Sequence, residues 1–262
     1  MAEIKEYAPG QPSWIDLQSS DPDKGEQFYR GLFGWDVQNL GEEAGNYRFF
    51  LKDGKMVAGG GPIMGDAPGI PSHWMTYVSV KDADEVAKKA ADAGGKVFAE
   101  PFDVMTAGRM AVLADPAGAV IGLWQPKDHK GAQVANESNT WSWSENQSRN
   151  LEAAKKFYQA VFGWTTSTMS SAGMDYTIWE NEGKGIGGGL QMDDENFPKE
   201  VPSNWLTYFS VDDADGSAKK AKELGGNVLV EPADIPTVGR FAVIADPQGA
   251  VFGILKPLPQ ES

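Results

Sequence analysis

The stretch Gly108-Arg109-Met110-Ala111-Val112-Leu113-Ala114-Asp115-Pro116-Ala117-Gly118-Ala119-Val120 returns 131 residues later as Gly239-Arg240-Phe241-Ala242-Val243-Ile244-Ala245-Asp246-Pro247-Gln248-Gly249-Ala250-Val251. That offset is half of a 262-residue chain, so one domain was duplicated and fused. Each copy reads as two apolar strands joined by an Asp-Pro-x-Gly turn. A site found in one half has to be looked for in the other.

Working outward, each half divides again. Trp14–Gln18 reads as a short strand, and Asp21-Pro22 opens a helix carrying Phe28, Tyr29, Leu32 and Phe33. Strands follow around Tyr47–Leu51 and Met56–Met64, with Asp53-Gly54 as the hairpin turn between them. The pattern restarts with a strand over Trp74–Val80, a helix over Asp82–Ala93, and strands near Lys96–Ala99, Arg109–Ala114 and Ala119–Trp124. The second half repeats it: strand Trp143–Gln147, helix Leu151–Phe162, strands Tyr176–Trp179 and Gly185–Met192. Then come strand Trp205–Val211, a helix from Asp213, and strands Val228–Val230, Arg240–Ala245 and Ala250–Leu255. The expected organisation is residues 1–127 as one domain, 128–140 as a polar linker, and 141–262 as a second domain.

The apolar and charged contents, 41% and 23%, let each half bury a core. With no cysteine there is no disulfide, thiolate nucleophile or cysteine-held metal, which fits a reducing compartment. The first seven residues have neither basic flank nor apolar centre, so no standard signal peptide is read there. Cytoplasmic location is the default expectation, with secretion by another route left open. No apolar run approaches the roughly 20 residues of a spanning helix. A net charge of −14 disfavours nucleic acid, whose phosphates demand clustered cations. The expected partner is a small organic ligand or substrate, and the expected assembly a monomer or homodimer.

Four units of this kind, with Phe28-Tyr29 and Phe157-Tyr158 in the odd helices and Asp-Pro-x-Gly at 115–118 and 246–249, resemble the vicinal oxygen chelate superfamily of glyoxalases, extradiol dioxygenases and bleomycin-resistance proteins. The resemblance covers nearly the whole chain. It extends to tandem glyoxalase-like proteins of actinobacteria, among them a mycobacterial culture-filtrate antigen. It implies an α+β fold in which four β-α-β-β-β units pair into two cup-shaped mixed-sheet domains, with metal ligands on the first and last strands. Placed on this sequence, the first-strand ligand positions fall on Trp14, Met75, Trp143 and Leu206, and the last-strand glutamate on Gly122 and Gly253. The strands Lys55–Met64 and Lys184–Met192 carry no His, Asp or Glu. Divalent metals take oxygen, imidazole or thiolate donors, so neither a metal nor another cofactor is expected. The only histidines, His73 and His129, have no counterparts in the opposite half.

Strand alternation places Trp14, Asp16 and Gln18 on the inner face opposite Met75, Tyr77 and Ser79. In the second half, Trp143, Glu145 and Gln147 face Leu206, Tyr208 and Ser210. A carboxylate there must be hydrogen-bonded, ion-paired or protonated. Tyr77 and Tyr208 are the expected donors, and Arg109 and Arg240 the expected cations if they point inward. On a functional reading Asp16 and Glu145 are bases, with Tyr77 and Tyr208 as their catalytic partners. Trp14, Gln18, Trp143, Gln147, Arg109 and Arg240 then bind the ligand. On a structural reading the acids and arginines tie strands together and the tryptophans are core. The glycine runs 59–61 and 187–189 are not phosphate loops, since no Lys-Ser/Thr follows; sheet curvature or a close approach explains them. The leading expectation is a metal-independent enzyme acting on a small organic molecule by proton transfer or addition. The alternatives are a small-molecule or drug-binding protein, a metal-dependent lyase, dioxygenase or hydroxylase, and an interaction protein with filled cups.

Overall fold

Alternating strands and tight turns build each half into one eight-stranded sheet. The computed structural model describes residues 3–65, 69–171 and 174–259. The first half runs β1 (Pro12–Ser19), α1 (Pro22–Phe33), β2 (Asp36–Asn39), β3 (Arg48–Lys52), β4 (Lys55–Pro62), β5 (His73–Ser79), α2 (Ala83–Asp92), β6 (Lys96–Val104), β7 (Gly108–Ala114) and β8 (Val120–Pro126). The second runs β9 (Thr140–Ser148), α3 (Leu151–Phe162), β10 (Thr165–Ser171), β11 (Met174–Asn181), β12 (Lys184–Gln191), β13 (Asn204–Ser210), α4 (Ala214–Glu223), β14 (Asn227–Ile235), β15 (Gly239–Ala245) and β16 (Val251–Pro257). The strand orders are β2-β3-β4-β1-β5-β8-β7-β6 and β10-β11-β12-β9-β13-β16-β15-β14. Four β-α-β-β-β units are therefore present, paired two by two through β1·β5 and β9·β13, as expected.

Local chemistry explains the elements. Asp21 accepts from the Lys24 amide to cap α1, and Pro22 takes the first turn. Asp53-Gly54 and Glu182-Gly183 all have positive φ, the requirement of a two-residue hairpin. Two strands escape the sequence pattern. β2 and β10 are sheet edges with mostly exposed, polar side chains, so no apolar alternation marks them.

Each helix packs on its own half's sheet, and the helices pair across the halves. α1 packs on α4 and α2 on α3, one helix from each half in both pairs. Phe28 and Phe33 of α1 meet Phe252 and Phe209 at ring separations of 6.2 and 4.9 Å. One core thus mixes Tyr29 and Phe50 with Phe209 and Phe252, and the other mixes Leu113 and Leu123 with Phe157 and Tyr158. At the centre of each, a polar relay crosses between halves. Trp74 Nε1 donates to Tyr29 Oη (2.8 Å), and Tyr29 donates to Asp246 Oδ2 (3.2 Å). Its counterpart runs from Trp205 to Tyr158 (2.8 Å) to Asp115 (3.1 Å). Each aspartate also accepts two amides of its own turn. The Asp-Pro-x-Gly turn of the opening repeat is therefore more than hairpin geometry: it anchors the other half's Phe-Tyr helix.

The linker also differs from its polar sequence. It straps the first sheet, with Ala132 N donating to Ser13 O (2.9 Å) and Gln133 N to Met56 O (2.7 Å). Ala132 and Val134 are buried, and the His129 ring lies against Trp14 at 4.3 Å. No described helix is long and apolar enough to cross a membrane.

Candidate functional site

Alternation along β1 sends Ile15 and Leu17 into the helix-side core, leaving Trp14, Asp16 and Gln18 on the opposite face. Antiparallel β5 sets Tyr77 beside Trp14 and Met75 beside Asp16. Asp16 is only 4% exposed, and its oxygens take three neutral donors. Gln18 Nε2 donates to Oδ1 at 3.3 Å, while Tyr77 and Tyr47 donate to Oδ2 at 3.2 and 3.3 Å. Trp14 Nε1 in turn donates to Tyr47 Oη at 3.0 Å. The second half repeats this arrangement. Glu145 takes Gln147 at 2.9 Å, Tyr176 at 2.8 Å and Tyr208 at 3.5 Å, and Trp143 donates to Tyr176 at 3.0 Å.

The structure thus brings together eight of the ten residues singled out from sequence, and adds Tyr47 and Tyr176. These two stand 129 residues apart, as do Trp14 and Trp143, so the repeat marks them as a pair, but nothing local ties either to its carboxylate. The other two, Arg109 and Arg240, are corrected. Neither is among the partners of Asp16 or Glu145. Arg109 forks onto Asp84 at 2.7 and 2.8 Å, and Arg240 onto Asp215 at 2.6 and 2.9 Å with Asp234 at 3.1 Å. A helix acid in α2 or α4 lies within reach and stays hydrated, whereas the cup carboxylate would strip a guanidinium of water. Their place is a sheet-to-helix tie.

The glycine pattern has a specific cause. A Cβ at Gly59 or Gly188 would overlap the hydroxyl of Tyr47 or Tyr176, and one at Gly122 or Gly253 the ring of Tyr77 or Tyr208. Bare backbone lets the phenols lie flat against the sheet and reach the carboxylate. Close approach, rather than curvature alone, accounts for Gly59, the first of its triad, and for Gly188, the middle of the other.

Burial dominates the electrostatics. It pushes the Asp16 carboxyl up to about 6, although the bonds from Gln18, Tyr77 and Tyr47 pull the other way. Glu145 is raised by burial against the same three kinds of donor. Burial and the adjacent carboxylate hold all four phenols well above the usual tyrosine range, so they remain donors. The cups differ in cover. Trp14 and Gln18 are buried, and His129, pushed down to about 4 by burial, sits over Trp14. Trp143 and Gln147 are half-buried, so the second cup is the more open.

The sequence model of the Glyoxalase/Bleomycin resistance protein/Dioxygenase superfamily matches residues 11–123 and 147–254. The chain belongs to this superfamily. It is 43% identical over 265 residues, all of both chains, to "Putative glyoxylase CFP32" of Mycobacterium tuberculosis (strain CDC 1551 / Oshkosh). It is 35% identical over 263 residues to "Anthracycline biosynthesis protein DnrV" of Streptomyces peucetius, covering 95% of this chain and 94% of that one. The fold is shared with the Mn(II)-bound glyoxalase from Novosphingobium aromaticivorans (TM-score 0.65, 18% identity, 96% of this chain and 83% of that chain). It is shared too with a catechol 2,3-dioxygenase (TM-score 0.62, 14% identity, 98% and 92%).

The superfamily's divalent metal does not fit the residues present. Each cup offers one carboxylate among phenols, an amide and an indole, and the tyrosine rings over Gly122 and Gly253 fill the space a last-strand glutamate would need. Among the described residues, no three His, Cys, Asp or Glu are grouped to hold an ion.

Proposed function

We propose that this superfamily member is a metal-independent enzyme that moves a proton on a small organic molecule, with Glu145 in the open second cup as the base and Asp16 as its counterpart in the first. The observation that carries this reading is the buried carboxylate held by two phenols and an amide in both halves. A base works best with its pKa near the operating pH, and burial moves Asp16 and Glu145 in that direction. A substrate oxygen entering the network would exchange bonds with Tyr176 or Tyr208. Phenols that stay protonated stabilise negative charge developing on that oxygen. The names of the two relatives, a glyoxylase and an anthracycline biosynthesis protein, support small-molecule chemistry.

The second reading is a binder without turnover, favoured by the tryptophan walls and by the tyrosines that fill the cup floors. A panel of enolisable carbonyl and phenolic compounds, incubated with chelator-dialysed protein, separates the two. Turnover that survives dialysis and falls about 100-fold or more in Glu145→Gln supports the enzyme. Turnover restored only by added metal, or unchanged in both Glu145→Gln and Asp16→Asn, overturns it. Retention of a compound without turnover leaves the binder.

A further inference from the structure

A cleft of about 170 Å³ lies beside the second carboxylate network, sharing Trp143 with it, at the junction of the halves. Its walls come from the N-terminal arm (Tyr7, Gln11), the linker (Ala135, Asn136) and the second sheet (Trp141, Trp143, Gly185). Among the described residues no charged side chain lines it. Its volume is close to the roughly 150 Å³ of a cavity that admits benzene, and below the roughly 300 Å³ where drug-sized pockets begin. The space therefore suits a single neutral ring, flanked by two indoles.

The first half shows what binds the start of this strand, before its parallel pairing begins at Gly59. Met56, opposite Leu51 at the start of β4, has its N–H and C=O taken by one residue. Gln133 Oε1 accepts from Met56 N at 2.8 Å, and Gln133 N donates to Met56 O at 2.7 Å. Gly185 occupies the same register in the second half, opposite Glu180 at the start of β12. There the cleft borders its backbone, and among the described residues no side chain takes Gln133's place. Close by, Asn136 stands in the left-handed region with its exposed amide at the rim, and Gln11 spends only its carbonyl, on the Ala8 amide.

We propose that this cleft is a binding site for a small planar aromatic molecule bearing a carboxamide or an equivalent adjacent donor–acceptor pair. The ring lies among Trp141, Trp143 and Tyr7, and the amide repeats toward Gly185 the two bonds that Gln133 makes to Met56. Trp143 also donates to Tyr176 in the second carboxylate network, so the site borders that cup without using its acid.

Saturation-transfer NMR with benzamide as the probe, on the full chain, tests this. Transfer to the ring protons is expected from the unaltered protein. It should fall at least tenfold in Ala135→Phe, which fills the cleft. Asn136→Gly, which keeps the left-handed backbone but removes the rim amide, should weaken it several-fold, with unaltered thermal melting as the control for folding. Glu145→Gln should leave it unchanged, which separates this site from the carboxylate chemistry. No transfer at millimolar benzamide, or transfer indifferent to Ala135→Phe, overturns the proposal. So does binding that emerges only when the chain is shortened to end at Pro259, since the protein's own terminus would then be the occupant.

Discussion

Asp16 exchanges the hydration of its carboxylate for two phenols and an amide, and burial outweighs all three. Its carboxyl rises from 3.8 to about 6. The folded state thus holds a proton that the unfolded chain has released between those values. Its contribution to stability is full below about pH 4 and is lost as pH rises through about 6. At 1.36 kcal/mol per unit this amounts to about 3 kcal/mol. Denaturant unfolding at pH 4 and pH 7 is therefore expected to show a difference that shrinks by about that much in Asp16→Asn, which cannot titrate. Equal pH slopes in the two proteins would refute the assignment. This acid was readable because period-two alternation fixes the face of a strand residue. The phenol that completes its shell was not. Tyr47 precedes β3 and reaches Asp16 only because Gly59 leaves room, and no local pattern announces a contact between chain segments.

At the scale of the element, sheet register sets tyrosine against glycine. Parallel pairing places Tyr77 beside Gly122 and Tyr208 beside Gly253. Adding one methyl there forces a buried ring to move, and overpacking of this kind costs about 1–3 kcal/mol. Gly253→Ala is accordingly expected to lower stability by that amount, measured by chemical unfolding. The double variant Gly253→Ala/Tyr208→Leu should be less damaged than the sum of the single changes, because they share one space. Strict additivity would mean the ring does not press on this glycine. Strands buried on one face and helices with caps were legible in the sequence. Edge strands β2 and β10 were not, because an exposed polar edge carries the composition of a loop.

At the scale of the molecule, two relays join the halves. Tyr29→Phe strands the Trp74 N–H and removes a bond from the Asp246 carboxylate, both buried. A loss of about 1–3 kcal/mol follows from leaving such groups unpaired. Tyr158→Phe should cost a similar amount through Trp205 and Asp115. Calorimetry should show one transition shifted in either variant. Two separated transitions would mean that the halves melt independently and the shared cores are not cooperative. The duplication and the pairing of units were visible in the repeat. The pairing of helices across the halves was not, since an amphipathic pattern tells which face of a helix is buried and is silent about the surface that covers it.

That pairing also sets the order of events during synthesis. Tyr29 must wait for Asp246, 217 residues further along the chain. At about 5–20 residues per second the delay is roughly 10–40 s. For that interval α1 rests on its own sheet alone, and the apolar side of Phe28, Tyr29 and Phe33 that Phe209 and Phe252 will cover stays open until its twin is made.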